Sequence, residues 1–551
     1  MIYLWIILQA SNRPAFKLTM AFSPSSTAWL AIAAVSTVCV YFFFRLTAHR
    51  RFYQNNDLPQ APHDSIWGHL KIIGEYSAKI KGDYMQAAWT QMKQDFKLPD
   101  IFYLDLWPFG PEFIICSGAD AAAFLTTTNS FPQADVVADF FAHTVGKTFI
   151  EATNGPLWKE LHQMLAPGLT PAATKTYHHL IVDEAKMLYD QIRRLAISEQ
   201  VADLNFHLGR YPFSVIWQIF FGARPQANSH LYEDAKRLND ISGATRTVLN
   251  PLTKWQEKRE QAAIIRRLER EIEKIIRSRF SKLQTEKTLP TKANASCLLD
   301  RMLLNQVQAG LPLDDGLMRL IQENAKGFLV AGYGTTTDTS SYIFMLLWAF
   351  PDALRKLREE HDRVFDKDFE ETLRLLREEP GRTRDLHYTT AAIQETLRLF
   401  PIGVVCRNPP PGMTSFEYEG RTYPVRNHQF AVLGHSIHYD PEVFDDPKEF
   451  RPERFLTPDP TFPRSGYRPF ERGLRSCMGQ TLAMEEMKIV LLMLARWFDF
   501  ELMHHNPVAE PRVGHTNLDT ILGDHAFQNS RFSAGPNGDV KMKVRLAPKS
   551  G

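Results

Sequence analysis

The chain has 551 residues, more than one hydrophobic core usually organises, and its 44% hydrophobic and 12% aromatic residues are enough to bury one to three domains. Sixty-four basic residues against sixty-two acidic leave a net charge of +2, so no excess of positive charge points to a nucleic-acid partner. The five cysteines, Cys39, Cys116, Cys297, Cys406 and Cys477, are odd in number and far apart, which points to a reducing compartment and away from a disulfide framework.

Residues 1–26 form an N-terminal segment whose apolar opening, Met1 to Leu8, is too short to cross a bilayer. Translation from Met20 gives a more ordinary anchor, and both starts stay open. Residues 27–44 carry no charge, and Trp29, an Ala/Val/Ile stretch and Tyr41-Phe42-Phe43-Phe44 make a run long enough to span. Residues 27–46 are read as one transmembrane helix. The competing reading is a cleavable signal peptide, whose apolar core is usually shorter and ends at a small-residue cleavage site. Arg45, His49, Arg50 and Arg51 follow at once, against Arg13 and Lys17 before, and this bias places the rest of the chain in the cytosol. Residues 47–62 read as a basic, proline-containing linker in which Pro59 and Pro62 hold the body at a set distance from the membrane. Residues 63–551 show neither an internal repeat nor a further boundary.

Within this body a helix is expected over residues 84–96, then a hairpin of residues 101–106 and 112–117 joined by Trp107-Pro108-Phe109-Gly110. Residues 156–350 are dominantly helical. One charged segment, residues 254–283, carries Ile264, Ile265, Leu268, Ile272, Ile275 and Ile276 on one face, and a packed helix accounts for so short a repeat better than a coiled coil. Residues 285–296 form a polar linker. Helices resume over residues 351–400, and short strands at 416–425 and 429–433 suggest a small sheet. The expected fold class is mainly α with small β-sheets, preceded by one transmembrane helix.

The strongest signal is Phe470-Glu471-Arg472-Gly473-Leu474-Arg475-Ser476-Cys477-Met478-Gly479, followed by a helical run through Phe498. A cysteine at the mouth of a helix with an arginine two residues before it is placed to be a thiolate, because helix N-termini and cations both stabilise anionic sulfur. A structural cysteine in a glycine-rich turn is the alternative. Every fixed position of this string resembles the haem-binding signature of the cytochrome P450 family, Phe-x-x-Gly-x-Arg-x-Cys-x-Gly. The resemblance implies that fold for residues 63–551 and a haem b whose iron takes Cys477 as ligand, with Phe470, Gly473, Arg475 and Gly479 shaping the loop. This family is the standard case of a thiolate that pushes electron density onto iron and favours O–O cleavage.

Glu395 and Arg398 lie three residues apart on one helical face, a pair that on a surface contributes little. With Arg454 in Pro452-Glu453-Arg454-Phe455 they resemble the family's Glu-Arg-Arg triad, which implies a structural lock beneath the cysteine loop. Residues 326–337 place Gly332, Gly334 and Thr335-Thr336-Thr337 inside an apolar helix, a conflict of local preference that concentrates at functional sites or at close helix contacts. In the family this segment crosses the oxygen-binding face with an acid before the threonine. Thr335 keeps the threonine, whereas Gly334 stands where the acid belongs. Protons would then come from water admitted by that gap, from substrate, or from Asp338 one turn on. Trp158 and His162 resemble the Trp-x-x-x-Arg segment that serves the haem propionates, with histidine replacing arginine, and Arg407 matches a strand position that supplies another propionate cation.

These resemblances imply a haem-thiolate monooxygenase acting on an apolar small molecule and most similar to fungal enzymes that tailor secondary metabolites. Electrons would come from NADPH through a separate NADPH–cytochrome P450 reductase, because no glycine-rich dinucleotide fingerprint follows a strand in these residues. Cytochrome b5 is a second implied partner, and the endoplasmic reticulum membrane the implied location. A haem-thiolate isomerase or dehydratase acting on a peroxide, and a haem-binding sensor, are the alternatives. The apolar stretches 131–149, 328–333 and 402–405 are candidate pocket walls.

Overall fold

A computed structural model describes residues 26–226, 230–247, 250–292, 294–457 and 461–548. The N-terminal segment up to residue 25 and the choice between Met1 and Met20 lie outside the described residues. Helix α1, Ser26–Asn55, contains the expected anchor, and residues 31–55 are long and apolar enough to cross a membrane by length and composition. It does not stop at residue 46. The supposed linker continues the helix for two more turns, because Leu46, Arg50 and Tyr53 dock onto the body, and the chain turns only at Asp57, which takes a left-handed φ of 45°. Arg50 is 1% exposed and ion-pairs with Asp105, and Phe42 stacks on Trp107 at 5.6 Å between ring centroids. The spacer is therefore a docked helix end followed by a short loop.

The predicted hairpin is β1, Ile101–Asp105, and β2, Glu112–Cys116. Two distant strands, β3 (Val405–Arg407) and β4 (Gln429–Val432), complete a four-stranded sheet in the order β1-β2-β4-β3, with β2 and β4 parallel and the other pairs antiparallel. The helices that frame the interior are α2 (Gly155–Leu165), α3 (Pro171–Ser198), α4 (Leu204–Phe221), α5 (Leu231–Thr247), α6 (Pro251–Thr285), α7 (Asp315–Ala349), α8 (His387–Leu399) and α9 (Gln480–Leu494). In α6, Ile264, Leu268, Ile272 and Ile276 recur every four residues and are buried, while Ile265 and Ile275 flank them, so this is a packed helix against α5 and α7.

α7 is the central element. Asp314 caps it by accepting from the backbone N–H of Leu317 at 2.7 Å, and it packs on α4, α8 and α9. It runs unbroken through its glycines and threonines. Gly332 explains part of this: a Cβ there would stand 2.8 Å from Cγ1 of Ile216, so only glycine lets α4 approach so closely. At Gly334 a Cβ would meet nothing nearer than Ser533 Oγ at 3.4 Å, and packing does not demand glycine.

The helix after the cysteine loop is shorter than expected. α9 ends at Leu494, and Phe498–Leu502 is a strand paired with Lys541–Leu546. Phe498, Phe500 and Leu502 alternate with Asp499 and Glu501, a period of two that favours strand over helix.

Candidate active site

The cysteine loop is fixed by backbone geometry. Gly473 takes a φ of +84°, and a Cβ there would fall 1.9 Å from the carbonyl oxygen of Thr126, so both conformation and space demand glycine. The N–H of Cys477 donates to the Phe470 carbonyl at 2.9 Å and that of Ser476 to Gly473 at 3.0 Å, closing the loop on itself. Gly479 caps α9 and Cys477 faces a cavity whose wall it shares with Phe470, Arg475 and Gly479. Burial pushes the Cys477 thiol up to about 11, outweighing the backbone N–H groups of Gly479 and Gln480 that pull it down. Arg475 does not help, because its guanidinium turns to the Thr153 carbonyl and the Asn154 side chain at 2.7 and 2.8 Å. Such a sulfur becomes an anion when a metal binds it.

Behind the loop the three brace residues meet as expected. Arg398 donates two bonds of 2.8 Å to the two carboxylate oxygens of Glu395, and Arg454 Nε lies 3.0 Å from the same carboxylate. Arg398 and Glu395 are completely buried. The guanidinium of Arg398 also donates to the carbonyls of His438, Pro447 and Glu449, at 2.8 to 3.0 Å. His438 carries the contact onward: Nδ1 donates to the Arg398 carbonyl at 3.0 Å, and Nε2 accepts from the backbone N–H of Arg468 at 3.0 Å, two residues before Phe470. Burial lowers its pKa to about 3, so the ring is neutral and can act as donor on one side and acceptor on the other.

Across the cavity lies α7. Ala331, Gly332, Thr335, Thr336 and Thr339 line the wall, and Thr335 Oγ1 donates to the Ala331 carbonyl at 2.9 Å. Gly334 itself points to Ser533 and Asn239 and does not line the cavity. Asp338 is not the missing acid: its carboxylate accepts from Asn205 at 3.0 Å and from Ser533, and it does not reach the wall. Three expected pocket segments do converge, through Phe149, Phe328 and Ala331, and Ile402, Gly403 and Val405.

The remaining site residues sit at one edge. The guanidinium of Arg475 lies 4.6 Å over the Trp158 ring, and the His162 ring lies beside that indole at 4.9 Å, tilted by 34°. Burial, with Arg475 nearby, lowers the His162 pKa. Arg407 is buried and donates to Gln133 and to the Cys406 carbonyl; neither it nor Trp158 lines the cavity. Arg468, which sequence reasoning missed, does line it, bound to Thr126 at 2.6 Å and ion-paired with Glu471. Arg468 Nε and Arg475 Nη1 are buried without partners. Two orphaned cationic donors beside an apolar cavity with a cysteine on its wall fit a flat, apolar macrocycle bearing two carboxylates, which is a haem. Glu486 was also missed; its only signal was a charge within the largely apolar run of α9.

A family model described as Cytochrome P450 matches residues 72–517. Cytochrome P450 monooxygenase acrF of Aspergillus aculeatus is 29% identical over 489 residues, 83% of this chain and 97% of that relative. Cytochrome P450 monooxygenase polC of Polytolypa hystricis is 26% identical over 550 residues, 94% of each. Bifunctional cytochrome P450/NADPH--P450 reductase 1 of Bacillus subtilis is 29% identical over 407 residues, 73% of this chain and 36% of that relative. A match that runs from residue 72 to residue 517 takes in the cysteine loop, its brace and the central helix alike, and the chain belongs to the cytochrome P450 family as an oxidoreductase of the monooxygenase kind.

Proposed function

We propose that the chain is a membrane-anchored haem-thiolate monooxygenase that inserts one atom of O2 into an apolar small molecule, a secondary metabolite of the polyketide or terpenoid kind. The balance is RH + O2 + NADPH + H+ giving ROH + H2O + NADP+, with electrons passed through a separate NADPH–cytochrome P450 reductase and cytochrome b5 as a second donor. The anchor would hold the body on the cytosolic face of the endoplasmic reticulum. The observation that carries this reading is Cys477 facing a largely apolar cavity from a loop that only glycine at position 473 permits.

In this reading Cys477 ligates the iron, Arg475 and Arg468 hold the carboxylates, and the indole N–H of Trp158 stands behind Arg475. Arg407 would join them by exchanging its Gln133 acceptor for a carboxylate. Bound there, haem supplies the activation of O2, chemistry that no side chain provides. Glu395, Arg398 and Arg454 hold the loop rigid through His438. Thr335 presents its hydroxyl to water, and the apolar walls at Phe149, Phe328 and Val405 orient the substrate and exclude bulk solvent.

The missing acid at Gly334 favours a second reading, in which a peroxide is isomerised or dehydrated without external electrons. Spectroscopy and turnover separate the two. A red-shifted Soret band of the reduced carbon monoxide complex, lost in Cys477→Ala, is expected for thiolate ligation, and its persistence in the variant overturns the assignment. Product formed only when reductase and NADPH are present supports the oxygenase. Product formed from a peroxide alone supports the isomerase, and haem binding with no turnover across an apolar panel supports a sensor.

A further inference from the structure

A second cavity, sharing no lining residue with the one beside Cys477, lies between α4, α5 and α6. This groove has a volume of about 790 Å³, against about 330 Å³ for the Cys477 cavity, and falls within the range of pockets that take small molecules. Trp217 and Phe221 of α4, 4.6 Å apart between ring centroids, line it together with Leu231 of α5 and Ile275 of α6. The rest of its rim is charged. Arg267, Glu271, Ile275 and Arg279 recur every four residues along α6, and Arg270, Lys274, Ser278 and Lys282 form the next row. Arg224, just past the end of α4, adds a further cation.

Four of these cations already have an anion. Arg224 lies 2.8 Å from Glu184, Lys274 2.8 Å from Glu271 and Arg279 2.6 Å from Asp300, while Arg267 is paired with Asp234. Arg270 and Lys282 have no carboxylate partner among the described residues. Arg270 donates from Nε to the Arg266 carbonyl at 3.3 Å, and both residues are exposed. Like charges four residues apart weaken a helix, so Arg270 beside Lys274 does nothing for α6 itself. A solvated helix face accounts for exposed cations, but not for their standing around an aromatic-lined cavity.

The groove and the Cys477 cavity share α4 as a wall. Ile216 lines the cavity, its neighbour Trp217 lines the groove, and Ile216 is also the residue against which Gly332 of α7 packs. From Phe221 in the groove the rings step to Phe220 at 4.9 Å, and from there to Phe328 of the cavity wall at 5.7 Å. Close-packed side chains transmit displacement, so a shift of α4 on one side is felt on the other.

We propose that this groove binds a small amphipathic anion, a flat apolar molecule carrying a carboxylate or sulfonate, and that its occupancy changes ligand affinity in the Cys477 cavity through α4. The apolar body lies against Trp217 and Phe221, and the planar guanidinium of Arg270 takes two oxygens of the anion. Lys282, twelve residues and about 18 Å further along α6, adds positive charge at the far end. The site does not depend on which reaction the Cys477 cavity performs.

The test uses the full chain loaded with haem in phosphatidylcholine nanodiscs, as wild type, Arg270→Glu, Arg270→Lys and, on the same helix outside the groove, Lys258→Glu. The probe is 2-naphthoate, and 2-naphthamide keeps its rings without the charge. Titration calorimetry, with empty discs as the blank, should show naphthoate binding weakened about tenfold in Arg270→Glu, less in Arg270→Lys and not in Lys258→Glu. The amide should bind wild type more weakly than naphthoate does. No naphthoate binding by wild type, equal binding of the amide, or equal weakening in Lys258→Glu overturns the site. Coupling is read at the haem, by titrating an azole whose nitrogen binds iron and following the Soret shift. At the naphthoate concentration that saturates wild type, azole affinity should change about fivefold in wild type and not in Arg270→Glu, and bound azole should change naphthoate affinity by the same factor. Naphthoate that displaces azole from wild type and Arg270→Glu alike is binding in the Cys477 cavity and overturns the proposal. Naphthoate that binds without altering azole affinity overturns the coupling. Phosphatidylserine in the discs that displaces naphthoate makes a lipid headgroup the occupant and overturns the assignment to a free molecule.

Discussion

Gly332 and Gly334 lie two residues apart on α7, and their surroundings give opposite expectations for the same substitution. At Gly332 an alanine Cβ would come within 2.8 Å of Ile216 Cγ1 and 3.1 Å of its Cβ, branched atoms next to the backbone that have little freedom to swing aside. Overpacking of this kind costs about 1–3 kcal/mol, more than the roughly 1 kcal/mol that alanine gains over glycine within a helix. At Gly334 the nearest atom is 3.4 Å away, so the gain stands unopposed. Thermal unfolding should therefore show Gly334→Ala more stable than wild type and Gly332→Ala less stable; the reverse order would mean that α7 and α4 are not packed this closely. The sequence marked both glycines as equally at odds with a helix. Which of them the fold requires depends on Ile216, more than a hundred residues away, and no local pattern carries that information.

The cysteine loop is held by elements it does not touch in sequence. Glu395 and Arg398 are one turn apart in α8, Arg454 follows in the short helix Pro452–Phe455, and His438 ends the five-residue helix Gly434–His438. Replacing Glu395 with alanine leaves Arg398 and Arg454 buried without their anion, a loss of about 3–5 kcal/mol, and haem content should drop with it. Normal haem content in that variant would refute the brace. His438→Phe keeps the ring volume but removes the acceptor for the Arg468 N–H and the donor to the Arg398 carbonyl. Leaving such groups unpaired costs about 1–3 kcal/mol, and denaturant unfolding should register it while the Glu395 cluster stays intact. The triad was legible because glutamate and arginine one turn apart, with a second arginine in a proline-led turn, make a recognisable pattern. His438 was not, since a single histidine forty residues from its partner has no spacing to read.

Taken as one body, the molecule joins its N-terminal apolar helix to the rest of the fold through charge. Arg50, His49 and His63 surround Asp105, and Tyr53 donates to Glu112 at 2.8 Å, so the last turns of α1 are fastened to the β1–β2 hairpin. Arg50→Met should remove this fastening. Leaving Asp105 short of its main cation costs about 3–5 kcal/mol, and limited proteolysis should cut faster between residues 55 and 61; unaltered cleavage would show that α1 docks without it. Acid should act on the whole molecule as well. Burial lowers His69, His361, His438 and His515 each to about 3. The unfolded chain takes up protons on these rings near pH 6.5 and the folded chain only near pH 3, so stability falls as pH drops through that window. Each ring contributes up to about 1.4 kcal/mol per pH unit. Asp105 is opposed by burial, yet hydrogen bonds from His49, His63 and Arg50 hold it well below the usual carboxylate range, so its contribution is present above about pH 4 and is lost as pH falls further. Melting temperatures measured from pH 7.5 down to pH 5 should decrease steadily; a flat profile would mean that these histidines can be protonated in the folded state.

By itself the sequence determined the features whose evidence is local. The string from Phe470 to Gly479, the triad residues, the helical periods of α6 and α7 and the apolar run of α1 are all written in neighbouring positions, and short spacing constrains both conformation and chemistry. The tertiary structure decided everything that depends on what a side chain meets. It carried α1 past its apolar run because Arg50 found Asp105, and turned Asp338 away from the cavity because Asn205 and Ser533 were there to hold it. Above all it placed Glu486 against Thr336, 150 positions earlier in the chain, where burial raises its pKa well above the ordinary carboxylic range. The physical reason is common to all of these: the free energy of a charge is set by its solvent and its neighbours, and in a folded chain both are chosen by contacts that sequence order does not record.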